Sequence, residues 1–228
     1  MRLMVIDTAL GLCTAGVFEV EDGAARRLGL RSEPMTKGHS ERIAGFARDA
    51  AAEAGLDFDA LDRIGVTVGP GSFTGLRVGL AFAQGLGAAL GRPVVGVSGL
   101  DALTASAGEA PAIAALIDAR RGQVYARFWR DDVAEGPPEA LSLEAAGERI
   151  AALSPGAVLV GSGAALFEGT AETARRLILD GPASEAIARL AAAADPAHAP
   201  ARPLYLRAPD AVPPTRLPGQ ARAPVRTP

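Results

Sequence analysis

A chain of 228 residues with 49% hydrophobic content is long enough to bury one large core or two small ones. Its 23 basic and 26 acidic residues leave a formal charge of −3, which excludes a global electrostatic pull toward nucleic acid. With Cys13 as the one cysteine, an intrachain disulfide and a thiolate metal cage are excluded too.

Leu3-Met-Val-Ile6 is a short continuous apolar run, predicted as a central strand covered on both faces and ended by Asp7 and Thr8. Cys13 to Val20 and Ala25 to Ser32 flank Glu21-Asp-Gly23, a turn signal, and read as an antiparallel hairpin. Ser40 is the expected cap of a helix that carries Ile43, Phe46, Ala47, Ala50 and Ala54 on one face and ends at Gly55. Ile64-Gly-Val-Thr-Val68 reads as a strand. The loop Gly69-Pro-Gly-Ser-Phe-Thr-Gly-Leu-Arg77 then turns the chain into an apolar helix from Leu76 to Leu90, with Ser72 or Thr74 accepting from its first turn.

Gly75, Gly79, Ala83, Gly87 and Gly91 recur every four residues and lay a seam of nearly bare backbone along that helix. Each interior glycine costs about 1 kcal/mol relative to alanine, so close approach of another element must compensate. A helix apolar on two sides is buried in its domain or by a partner. The seam therefore gives a candidate helical partner interface: Gly75, Leu76, Gly79, Ala83 and Gly87, with Ile43, Phe46 and Ala50 of the preceding helix. Because Asp7 interrupts the first apolar run, and the helix from Leu76 is short and glycine-rich, no membrane span is expected and the chain is placed in the cytoplasm.

Pro93 to Val97 reads as another buried strand, and Ser98 with Asp101 as the start of the next helix. Ala112 to Asp118 opens a second series: an apolar strand ending in Asp, a turn at Ala119-Arg-Arg-Gly122, and a returning strand in which Val124, Ala126 and Phe128 alternate with Tyr125, Arg127 and Trp129. A strand after Pro137-Pro138, a helix at Leu143 to Leu153, a strand at Ala157 to Val160, and helices within Leu166 to Leu179 and Ser184 to Ala194 complete the order. Two successive strand-hairpin-helix-strand units make a duplicated α/β plan. The stretch from Pro209 to Pro228, with three arginines against one aspartate, is expected to form a flexible Pro-rich tail.

The nine-residue loop, together with Ile6-Asp-Thr8, His39-Ser40 and Ser98-Gly-Leu-Asp101, closely resembles the bacterial TsaB (YeaZ-type) family over roughly residues 1 to 130, and Tyr205-Leu-Arg207 echoes it near the end. The resemblance implies two RNase H-like lobes of the actin/Hsp70/sugar-kinase superfamily, set at residues 1–107 and 108–208. It also implies a non-catalytic dimerisation subunit of the machinery that places threonylcarbamoyl on adenosine 37 of tRNA. The implied partners are a TsaD-type catalytic subunit, a TsaE-type ATPase in the assembled complex, tRNA through the complex, and a second copy of the chain when it is alone.

Asp7 and Asp118, at the ends of corresponding strands, with Gly69, Gly71 and Ser72, form a candidate nucleotide or anion site. Paired carboxylates can hold a hydrated metal ion, and the free N–H groups of a helix start attract anions. The superfamily's ATPases have Asp-x-Gly turns at these points, whereas this chain has Asp7-Thr-Ala and Asp118-Ala-Arg. Weak nucleotide binding with no required cofactor is expected; the alternative is a small-molecule kinase or ATPase. His39 lacks the His-x-x-x-His partner of TsaD-type subunits, so no metal site is expected. Ser72 and Thr74 lack the Gly-x-Ser-x-Gly elbow and base that a hydrolase needs. Arg77 is open to an anion, an acidic partner group or a structural ion pair.

Overall fold

The computed structural model describes residues 1–170 and 174–207, so the Pro-rich tail expected at 209–228 lies outside the described residues. The chain opens with β1 (Arg2–Asp7), β2 (Leu12–Glu21) and β3 (Ala24–Pro34), then α1 (His39–Glu53), β4 (Arg63–Gly69), α2 (Phe73–Leu90), β5 (Val94–Ser98) and α3 (Gly99–Ala107). The five strands form one sheet in the order β3-β2-β1-β4-β5; β2 and β3 run antiparallel to their neighbours, and β1, β4 and β5 run parallel. At the β2–β3 turn, Asp22 and Gly23 both take positive φ, 49° and 78°, as the right-handed twist of a two-residue hairpin requires.

The second series is β6 (Ala112–Arg120), β7 (Gln123–Arg130), β8 (Val133–Ala134), β9 (Glu139–Ser142), α4 (Leu143–Ala151), β10 (Val158–Val160), β11 (Arg175–Leu177) and α5 (Ser184–Ala193). Its sheet runs β11-β10-β6-β7-β8, with β9 also pairing β7. The first strand is central in both sheets, with an antiparallel hairpin partner on one side and two parallel strands on the other.

β1 is apolar without alternation because both of its faces are covered. Met4 and Ile6 join the core beneath α1 and α2, whereas Leu3 and Val5 join the one beneath α5. α5 follows the second sheet in sequence but packs on the first. A Cβ at Gly65 of β4 would lie 2.5 Å from the Ala191 Cβ, so glycine is what admits the helix. Arg63 Nη1 donates to the carbonyls of Ala191, Ala192 and Ala194 at 2.7, 3.0 and 2.7 Å, satisfying the orphan acceptors at the end of α5. The chain then runs back along the first sheet, where Gly96 N–H donates to the Ala199 carbonyl (2.9 Å) and Leu204 N–H to that of Val68 (2.7 Å). It reaches the second sheet with Leu206 in its core and Arg207 hydrogen-bonded to Gln123.

Three local expectations are corrected. α1 begins at His39 behind Gly38 (φ 83°), not behind a Ser40 cap. α2 begins at Phe73, so its 18 residues are long and apolar enough by length and composition to cross a bilayer, with a mean hydropathy of 1.2. One face of α2 is instead a layer of the first sheet's core. The Leu166 to Leu179 region holds no α-helix where described: it begins in the end of a 3₁₀ helix (Ser162–Phe167) and includes the edge strand β11, whose parallel pairing with β10 outweighs local helix preference.

Candidate functional site

The loop Gly69–Gly75 is moulded around the end of β1. The Ser72 N–H donates to the Ala9 carbonyl (2.7 Å), the Thr8 hydroxyl donates to the Gly75 carbonyl (2.7 Å), and Ser72 Oγ accepts the Gly75 N–H (3.2 Å). A Cβ at Gly71 would lie 2.2 Å from the Ala9 carbonyl oxygen, and one at Gly75 2.1 Å from that of Thr8. Farther along the helix, a Cβ at Gly79 would meet Thr8 Oγ1 at 2.5 Å, and one at Gly87 would meet Val94 Cγ2 at 2.3 Å. The seam is therefore the contact of α2 with its own sheet.

All eight residues expected at the interface, Ile43, Phe46, Ala50, Gly75, Leu76, Gly79, Ala83 and Gly87, are buried within the chain. A period of four reports close approach but not the identity of what approaches. The opposite side of α2 exposes Phe73, Arg77 and Ala81. Beside α1 these residues line an apolar groove of about 470 Å³ with Ile43, Val78 and Phe82. At its end the Arg77 guanidinium lies 3.7 Å from the Phe73 ring centroid and its Nε faces the Tyr205 hydroxyl at 3.4 Å. Phe73 and Tyr205 pack with ring centroids 5.6 Å apart while staying 53% and 47% exposed, so two aromatic rings and a cation stand at the rim. An Arg77 ion pair, one of the sequence readings, is not formed among the described residues.

The second site lies where the two sheets face each other, in a cavity of about 770 Å³. Gly71, Ser72 and Asp118 line it; Asp7 and Gly69 stand behind its wall. Asp7 is 1% exposed, and its Oδ1 accepts from the Thr67 hydroxyl (2.6 Å) and the Ala9 N–H (2.9 Å). Burial raises its carboxyl above the ordinary value of 3.8, opposed by those two hydrogen bonds and by nearby His39. Asp118 engages both oxygens on Arg120, Oδ1 with its N–H (2.7 Å) and Oδ2 with Nη1 (3.0 Å), capping the β6–β7 hairpin. Asp7 thus closes the turn after β1 and ties it to β4, and Asp118 caps the β6–β7 hairpin.

Sequence reasoning missed the other walls of the cavity. Tyr125, Ser162, Asp180 and Arg207 arrive from distant elements; Tyr125 was marked for a strand and Arg207 for the family resemblance, but no local pattern assigns any of the four to this cavity. His39 lines the cavity at 7% exposure, and its Nε2 has no hydrogen-bond partner. Such an orphan costs about 1–3 kcal/mol. Among the described residues, no three His, Cys, Asp or Glu side chains are grouped to hold a metal ion.

A family model for the tRNA N6-adenosine threonylcarbamoyltransferase TsaD matches residues 22–135. The tRNA threonylcarbamoyladenosine biosynthesis protein TsaB of Escherichia coli is 33% identical over 171 residues, which cover 72% of each chain. The chain belongs to the TsaB family. An uncharacterized protein of Mycobacterium tuberculosis is 37% identical over 218 residues, 92% of this chain and 94% of that one. The structure of YeaZ from Pseudomonas aeruginosa superposes with a TM-score of 0.71 at 28% identity, covering 90% of this chain and 99% of that one. TsaB membership and the repeated sheet order establish the expected α/β fold of two RNase H-like lobes in the actin-like superfamily.

Proposed function

We propose that this TsaB-family chain is a non-catalytic partner subunit in tRNA threonylcarbamoyladenosine biosynthesis, and that it acts by holding a TsaD-type catalytic subunit in a competent arrangement. Kinship with the TsaB of Escherichia coli supports the pathway. The observation that carries the partner role is the groove between α1 and α2, whose outer wall of Ala81, Val78 and Phe82 is apolar while the glycine face of the same helix is already used by the sheet. A protein that binds one conformation of a partner shifts its population in proportion to the difference in affinity. A chain of charge −3 acts on tRNA through that partner, in the cytoplasm, with a TsaE-type ATPase joining the assembled complex. The same groove would pair two copies of the chain when the partner is absent. Nucleotide, if bound in the cavity, binds weakly and is not required.

Ala81→Glu tests this reading. Ala81 is exposed on the outer face of α2, so the substitution should leave the melting temperature unchanged. A buried, unpaired carboxylate in the interface should weaken association with the catalytic subunit by at least about tenfold in sedimentation, and lower reconstituted transfer in parallel. Unchanged association would place the partner elsewhere.

A further inference from the structure

Among the described residues four arginines stack on an aromatic ring: Arg42 on Phe46 at 4.9 Å from the centroid, Arg77 on Phe73 at 3.7 Å, Arg127 on Trp129 at 5.1 Å and Arg149 on Phe128 at 3.9 Å. Three of them also hold a carboxylate of this chain. Arg42 pairs with Glu33 at 3.1 Å, Arg127 with Asp101 at 2.5 Å and Arg149 with Glu139 at 2.7 Å. Arg77 holds none among the described residues. Its Nε donates to the Tyr205 hydroxyl at 3.4 Å and the Phe73 ring fixes its plane, so both Nη groups are left without an acceptor among the described residues. A planar fork of N–H groups matches the two oxygens of a carboxylate. Of the described residues that line the groove between α1 and α2, Arg77 is also the only one with a charge. An apolar partner laid along Val78, Ala81 and Phe82 takes that charge out of water, and a desolvated cation without an anion opposes binding.

We infer that the catalytic subunit docking in this groove presents an Asp or Glu side chain to Arg77, flanked by apolar residues that fill the space beside it. The inference rests on the partner role proposed above and adds the chemistry of the contact. Nη1 and Nη2 take the carboxylate end-on, because Nε is already committed to Tyr205. Phe73 and Tyr205, half exposed with ring centroids 5.6 Å apart, form the rim that shields the pair from water. Tyr205 is a positioning residue: it reaches the groove from the segment after α5 and acts on the partner through Arg77. Selectivity follows from the same charge, since a segment with Lys or Arg opposite Arg77 is repelled.

Association of the full chain with the TsaD-type catalytic subunit, measured by calorimetry, tests this. Arg77→Met keeps an unbranched stem on Phe73 and removes the fork; it should weaken binding about thirtyfold or more while leaving the melting temperature unchanged. Arg77→Lys, which keeps the charge but not the fork, should recover part of the loss. Tyr205→Phe should weaken binding less than Arg77→Met does, and should add nothing in the Arg77→Met background. Each Asp and Glu of the catalytic subunit is then changed to Asn or Gln and measured against wild type and Arg77→Met. One of these changes should weaken binding to wild type and be silent against Arg77→Met. Coupling to no carboxylate, or a loss confined to self-association of this chain, overturns the inference. Ala81→Glu separates it from the reading on which it rests: binding lost with Ala81→Glu but kept with Arg77→Met ends the carboxylate contact alone, whereas binding kept with both ends the groove as the docking site.

Discussion

Gly75→Ala measures how tightly α2 is pressed onto β1. The added methyl would lie 2.1 Å from the Thr8 carbonyl oxygen and 3.3 Å from Ser72 Cβ. The first contact is backbone at the end of the central strand and cannot rotate away, so α2 must lift. Lifting costs about 1–3 kcal/mol as overpacking and forfeits the Thr8–Gly75 hydrogen bond, another ~1 kcal/mol. The better helix propensity of alanine returns about 1 kcal/mol, leaving a net loss of about 1–3 kcal/mol. Gly85, on the same helix, would meet nothing within 4 Å, so Gly85→Ala should show the propensity gain alone. At about 2–4 °C per kcal/mol for a chain of this size, Gly75→Ala should melt about 2–12 °C below wild type and Gly85→Ala about 2–4 °C above it. Thermal and urea unfolding followed by circular dichroism give both numbers. Equal stability of the two variants would refute the packing of α2 on β1 described above.

Asp7→Asn should change the pH dependence of stability. A carboxyl whose folded-state value is raised favours the fold when protonated, so its contribution is full below 3.8 and is lost as pH rises through the folded-state value. The stability of wild type relative to Asp7→Asn should thus fall as pH rises above 3.8 in urea titrations, and a rise would reverse the assignment. Cys13 is fully buried and its thiol is pushed up to about 11, by burial first and then by Asp7 and Glu33. Alkylation by iodoacetamide at pH 8 should be slower in the native chain than in urea by about two orders of magnitude or more; equal rates would show that the β2 strand opens readily.

Much of the first sheet was legible because single residue patterns decide it. The unbroken apolar run Leu3–Ile6 demands two covered faces, Asp22-Gly23 demands a tight hairpin, and Ser72, one of the two caps offered by the sequence, is the one that caps α2. The edge strand β11 was not legible, since three residues, Arg175–Leu177, acquire strand geometry only from pairing with β10. The loop Gly69–Arg77 was marked by its residues, yet what Gly71 and Gly75 accommodate was not: their close neighbours are Ala9 and Thr8, more than 60 positions earlier in the chain. The same limit hid the cavity. Gly71, Ser72 and Asp118 could be named from local signals, but that Asp7 turns inward to Thr67 while His39 faces the space is settled by tertiary packing.

Under the proposed function α2 has two obligations on opposite sides, and they separate experimentally. On the inner side, glycine lets the helix approach β1 closely enough for Thr8 to bond its first turn, which fixes the axis of the helix relative to the sheet. On the outer side, Ala81, Val78 and Phe82 stand wherever that axis puts them, so the shape of the groove against α1 is a consequence of the glycine contacts. A substitution on the inner side should therefore disturb both stability and partner binding, because a lifted helix also misplaces the groove. One on the outer side should disturb binding alone. Gly75→Ala and Ala81→Glu form that pair: loss of association in both, with loss of stability only in the first, is the pattern that a sheet-anchored docking helix produces and that an unanchored helical surface would not.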